Sequence, residues 1–190
     1  MTPSHARSAR FDPRTVTYAA LYLAIAMVLP FITGQVPQIG KMLSPMHIPV
    51  LLCGFMCGWK WGLAVGLVAP VLRSALFGMP EMFPTAVAMT FELAVYGSMT
   101  GLLFRLFPKK AWTLYPALIL SMAAGRLVYG AVQFILAGVA KTDFTWKAYL
   151  TGTIVKTIPG IVLHVAIVPP IVMLMNRIGL SPAAAKNTSR

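Results

Sequence analysis

One acid and a few bases stand inside otherwise apolar stretches of this sequence. Glu92 lies in FPTAVAMTFELAVYG, Arg126 in AAGRLVYGAVQFILAG, Lys156 and His164 in KTIPGIVLH, Arg73 in VAPVLRSALFG and His47 in SPMHIPVLL. Ionised groups are expensive in hydrocarbon, so such residues face a cavity, a partner or one another. Helical spacing lines them up. Thr85, Met89, Glu92 and Tyr96 share one face, and Arg126, Tyr129 and Gln133 lie within about a sixth of a turn of one another. Lys156, Gly160 and His164 follow at four-residue intervals. At 1.5 Å per residue, Glu92 and Lys156 both fall roughly 13 Å below the outer ends of their helices, with Gln133 shallower and Arg126 deeper. The stripes converge in the outer half of a helical bundle. One reading is a salt bridge from Glu92 to Lys156 or Arg126 that pins helices together. It leaves two of the three bases Arg73, Arg126 and Lys156 unpaired and gives Tyr96, Tyr129 and Gln133 no role. A small-molecule pocket with convergent polar groups accounts for all of them.

Other chemistries lack their residues. There is no phosphate-binding GxxxxGK[ST] loop, no HExxH, no GxSxG and no pair of neighbouring carboxylates. The chain therefore hydrolyses no nucleotide by itself, and no cofactor is implied. His47 and His164 fall on different helices without acidic neighbours in sequence, where a lone histidine is more often a hydrogen-bonded core residue than a ligand. Cys53 and Cys57 are four apart within an apolar helix, which is neither a CxxC redox pair nor a zinc site, so they read as small packing residues. No metal site is expected. Binding is the chemistry left over.

The elements that must hold these groups are set by composition. Hydrophobic residues make up 58% of the chain and charged ones 11%, with a mean hydropathy of +0.77. Such a chain has lipid for most of its solvent, and its 190 residues form one compact helical domain. The net charge of +12 would suit nucleic acid, but the basic residues sit in short loops and tails rather than on one soluble face.

Residues 1–14 form a polar tail with Arg7, Arg10 and Arg14. The apolar run 15–33 is long for a signal peptide and has no small-residue cleavage site after it, so it reads as a retained first helix. Ala20 and Ala24 sit one turn apart in it, with Thr17 and Met27 on the same stripe. This is either ordinary internal packing or a docking face for another membrane protein. The irregular segment 34–46 cannot face lipid and lies outside the bilayer or over a cavity. About 12 apolar residues then run to Cys57, and further spans cover 63–78, 83–107, 112–139 and 149–175. Glycines at 54, 58, 62 and 66 form a small-xxx-small pattern that permits close helix approach. A break at Trp59, Lys60 and Trp61 gives six helices and collects Arg7, Arg10, Arg14, Lys60, Arg105, Lys109, Lys110, Arg177, Lys186 and Arg190 on one side. Only Lys41, Lys141 and Lys147 remain on the other. The positive-inside rule then places both termini in the cytoplasm. The expected fold is an all-α integral membrane bundle of six transmembrane helices over 15–176, with a second cytoplasmic tail at 177–190.

The segments SPMHIPVLLCGFMCGWKWG, FGMPEMFPTAVAMTFELAVYG, AAGRLVYGAVQFILAG and TIPGIVLH resemble the substrate-binding (S) components of energy-coupling factor (ECF) transporters. The resemblance covers roughly residues 15–176. It implies a six-helix bundle in a prokaryotic plasma membrane that captures a vitamin or similar micronutrient from outside. The bundle then works with a transmembrane coupling protein and two cytoplasmic ATPases. It further implies that Ala20 and Ala24 meet the coupling protein, that 34–46 acts as a lid, and that helices four to six supply most substrate contacts. The substrate-binding candidates are Glu92, Tyr96, Arg126, Tyr129, Gln133, Lys156, His164, Arg73 and His47. His5 alone is not the N-terminal histidine motif expected of a nickel or cobalt binder. The excess of buried bases over acids favours an anionic ligand, for which pantothenate would fit. Two other classes are a self-sufficient secondary transporter or channel driven by Glu92 protonation, and an intramembrane enzyme using Glu92 with His164.

Overall fold

A computed structural model describes residues 12–32, 44–108, 110–140 and 156–180, with only the backbone given for Ile32, Val139, Ala140, Lys156 and Thr157. The described residues are helical and contain no strand. They form α1 (Pro13–Ile32), α2 (His47–Cys57), α3 (Trp59–Phe77), α4 (Val87–Leu106), α5 (Leu114–Ala140) and α6 (Lys156–Arg177). All but α2 are long and apolar enough to cross a membrane. The 11 residues of α2 span only ~16 Å, about half of a ~30 Å hydrocarbon core. Every one of them is buried, so α2 is an inner half-span wrapped by the others.

Local chemistry explains the helix ends. Asp12 caps α1, its carboxylate accepting from the Arg14 amide at 3.2 Å and from the Thr15 hydroxyl at 3.2 Å, with Pro13 at the first helical position. Gly78, in the left-handed region at φ 68°, closes α3 by donating to the Ser74 carbonyl at 2.9 Å. A wide turn at Met82–Ala86 leads into α4, and a tight turn at Ala111–Thr113 leads into α5. There the Thr113 hydroxyl donates to the carbonyls of Pro108 and Lys110, both at 2.7 Å.

The break between α2 and α3 is sharper than the sequence indicates. It is the single residue Gly58, at φ 89° and ψ 171°, a conformation that side chains strain to adopt. Trp59, Lys60 and Trp61 are not the connector but the first turn of α3. The glycine series consequently serves two helices around a corner. Gly54 on α2 and Gly62 and Gly66 on α3 all turn towards α4, and a Cβ on Gly62 or Gly97 would run into the other's carbonyl oxygen. That pairing lets α3 and α4 touch backbone to backbone.

Packing fixes the directions. Gly62 meets Gly97 and Gly66 meets Leu93, so α3 and α4 are antiparallel. α5 returns antiparallel to α4, with Gly125 against the Tyr96 ring. Phe31 on α1 packs edge-on to Phe77 on α3 at 4.9 Å, and Arg73 donates to the Met27 carbonyl, so those two helices run parallel. The Tyr22 hydroxyl reaches the Met175 sulfur at 3.4 Å, bringing the last turns of α6 against α1. On α1, Ala20 and Ala24 lie exposed beside Val28, which is 61% exposed, whereas Met27 points into the core. Thr17, Ala20 and Ala24 therefore share an open face that Met27 does not join. Segments 33–43 and 141–155, including residues 34–43 of the expected lid and the start of the sixth span, lie outside the described residues.

Candidate functional site

Three helices bring polar side chains to the carboxylate of Glu92, and a fourth adds a histidine stacked on one of them. On α4 the four-residue spacing places Tyr96 one turn beyond it, and the Tyr96 hydroxyl donates to Glu92 Oε1 at 2.7 Å. From α5 an Arg126 guanidinium nitrogen reaches the same oxygen at 3.1 Å. Gly125, next to it, lets α5 lie close over the Tyr96 ring. From α2, His47 Nε2 stands 3.7 Å from Glu92 Oε2, beyond hydrogen-bond range, with its ring 5.4 Å from that of Tyr96. From α6, the His164 ring stacks on His47 at 5.9 Å and 19° between planes. His47, Glu92, Tyr96 and His164 are all buried.

A buried carboxylate is tolerated here because a cation and a hydroxyl share one of its oxygens. The second oxygen keeps acceptor capacity, facing His47. Neither ring nitrogen of His47 has a hydrogen-bond partner among the described residues, and those of His164 bond to no described side chain. Orphaned buried polar atoms are costly unless a bound molecule or water completes them. The arrangement is suited to gripping a polar solute. Among the described residues no three histidine, cysteine or carboxylate groups are placed to hold a metal ion.

Arg126 is the part of the cluster that reaches outwards, its side chain retaining 14% exposure. Tyr129 and Gln133 continue from it along α5, half-buried, with the Gln133 amide donating to the Tyr129 hydroxyl at 3.0 Å. The sequence stripe on α5 is thus one surface, as its spacing indicates. Lys156 begins α6, and its side chain lies outside the described residues.

Arg73 is not brought to this cluster. Its guanidinium lies beside the edge-on pair of Phe31, at 5.2 Å, and Phe77, at 5.4 Å, and it donates to the Met27 carbonyl. The cation is stabilised by two aromatic rings and a main-chain oxygen near the C-terminal end of α1, where the helix dipole also favours positive charge. Arg73 ties α1 to α3. Helical spacing could not distinguish this neighbour from Glu92, because both lie across a helix boundary. The link between the two histidines was likewise invisible in sequence, since 117 positions separate residues 47 and 164 (164 − 47). The one local signal was that His47 opens a helix whose other residues are apolar.

The family model for the ECF transporter substrate-specific component matches residues 14–172. No curated protein and no solved structure matches. The matched range runs from α1 almost to the end of α6 and takes in every member of the Glu92 cluster. Members of this family are components of transporters rather than enzymes, and the apolar helices make this a multi-pass membrane protein. The chain belongs to the substrate-specific components of ECF transporters.

Proposed function

We propose that this chain is the membrane-embedded binding subunit for ATP-driven uptake of a vitamin or related micronutrient in a prokaryotic plasma membrane. It captures the solute within a bundle of six membrane helices with both termini in the cytoplasm. A transmembrane coupling protein and two ATPases then drive release inward. The observation that supports capture is the grouping of His47, Glu92, Tyr96, Arg126 and His164 from four helices in the buried interior, where the His47 ring nitrogens have no hydrogen-bond partner among the described residues. Tyr129 and Gln133 extend the polar surface from Arg126. Lys156 belongs to the same proposed pocket by its helical register, whereas Arg73 is better read as a helix clasp.

An anionic ligand such as pantothenate remains the favoured class, on narrower grounds. With Arg73 elsewhere, and Arg126 already sharing its charge with Glu92, the attraction for an anion rests on the outer side of Arg126 and on Lys156. Arginine can hold a second carboxylate through its remaining donors.

The test is reconstitution. The chain purified alone should carry or bind its metabolite, identified by native mass spectrometry, and should transport nothing in liposomes until coupling protein and ATPases are added. Transport by the chain alone would mean a secondary carrier, and conversion of the metabolite would mean an enzyme. Replacing the exposed Ala20 and Ala24 together by leucine should leave binding unchanged and abolish uptake by blocking close helix approach. Normal uptake by that variant would remove the docking role of α1.

A further inference from the structure

The exposed charges of the described residues are unevenly divided between the two ends of the bundle. Gly101 abuts the Gly58 corner, so the C-terminal turns of α4 lie beside the start of α3. α1 runs parallel to α3, and α6 runs from His164, stacked on His47 at the start of α2, towards Met175 against Tyr22. One end therefore holds the start of α1, the α2–α3 corner, the α4–α5 turn and the end of α6. It carries Arg14, Lys60, Arg105, Lys110 and Arg177, all exposed. The acid described there is Asp12, which is engaged in capping α1. At the opposite end the exposed charge among the described side chains is Glu81.

Two tryptophans flank the densest part of this basic end. Trp59, 38% exposed, lies beneath the Lys60 ammonium at 5.6 Å, and Trp112, 64% exposed, follows Lys110 at the next corner. Exposed indoles at the ends of membrane spans sit at headgroup level. Lys60, Arg105 and Lys110 lie on neighbouring corners of that level, and no described acid except Asp12 shares it.

We propose that this corner, Lys60, Arg105 and Lys110 between Trp59 and Trp112, binds the phosphate headgroups of anionic phospholipids selectively over zwitterionic ones. The occupant is set by charge and by depth. Three exposed cations meet at the level where lipid phosphates are present at high local concentration, and the indoles fill the apolar boundary below them. Among the described side chains the opposite end shows no comparable basic surface. The selectivity rests on the membrane assignment of the helices and is independent of the ligand in the Glu92 site.

The full chain, exchanged into equimolar phosphatidylglycerol and phosphatidylcholine, is examined by native mass spectrometry for the lipids it retains. Wild type should retain phosphatidylglycerol preferentially at low salt and lose that preference at high salt. Each of Lys60→Gln, Arg105→Gln and Lys110→Gln should weaken the preference roughly fivefold. Equal retention of the two lipids by wild type, or a preference insensitive to salt, would overturn the proposal even if no variant could be purified. So would single variants of wild-type thermal stability that keep the full preference. Variants that retain phosphatidylglycerol normally but no longer assemble with the coupling protein and ATPases would assign the basic corner to protein contact instead.

Discussion

At the scale of single residues, the central pair is Arg126 and Glu92, and two roles can be separated for it. An arginine that only neutralises a buried acid is a helix pin, whereas one that also contacts ligand is part of the binding site. Their 3.1 Å contact establishes the first role, and the five N–H donors of a guanidinium allow the second. Arg126→Met should therefore do two things. It strands a buried carboxylate, which destabilises the fold by ~3–5 kcal/mol, and it weakens retention of the bound metabolite by ~2–5 kcal/mol. Adding Glu92→Gln removes the stranded charge and should recover most of the stability, measured as the thermal midpoint in detergent, but little of the affinity. If the double variant binds its metabolite near normally, Arg126 pins helices and does not touch ligand.

At the scale of elements, the fold depends on how closely α3 and α4 approach. Gly62 and Gly97 are each the only residue type that leaves room for the other's carbonyl, and the contact sets the register that positions Glu92. Gly97→Ala should push the two backbones apart and cost more than the ~1–3 kcal/mol usual for overpacking, because the obstacle is main chain and cannot rotate away. Loss of thermal stability with loss of bound metabolite is the expected result. An alanine variant as stable as wild type would show that the helices have slack at this crossing. Gly138, where an added Cβ meets nothing, is the matched control and should tolerate alanine.

At the scale of the molecule, the division of charge between the two ends predicts orientation. Cysteines substituted singly for Lys110 and Arg177, both exposed at the basic end, should be shielded from impermeant maleimide in intact cells, and one substituted for Glu81 should react. The native Cys53 and Cys57 are buried and give little background. Reaction at Lys110 from outside would put the basic end on the outer face and reverse the proposed topology.

Much of this architecture was legible in the sequence because it depends on local rules. Apolar runs of sufficient length become helices in lipid, since no other segment satisfies its own backbone there. A rotation of about 100° per residue decides which side chains share a face, so the shared faces of Glu92 with Tyr96 and of Tyr129 with Gln133 follow from spacing alone. The basic loops follow from counting. What spacing cannot decide is which face meets which. Arg73 and Arg126 look alike in sequence, each a lone base in an apolar helix, yet one meets Phe31, Phe77 and a carbonyl while the other meets Glu92. The pairing of His47 with His164, the inward turn of Met27 and the one-residue corner at Gly58 are of the same kind. Each depends on the distance and angle between two helices. Those are set by close contacts such as Gly62 on Gly97, where the interacting atoms belong to the backbone and leave no periodic signal in the side chains.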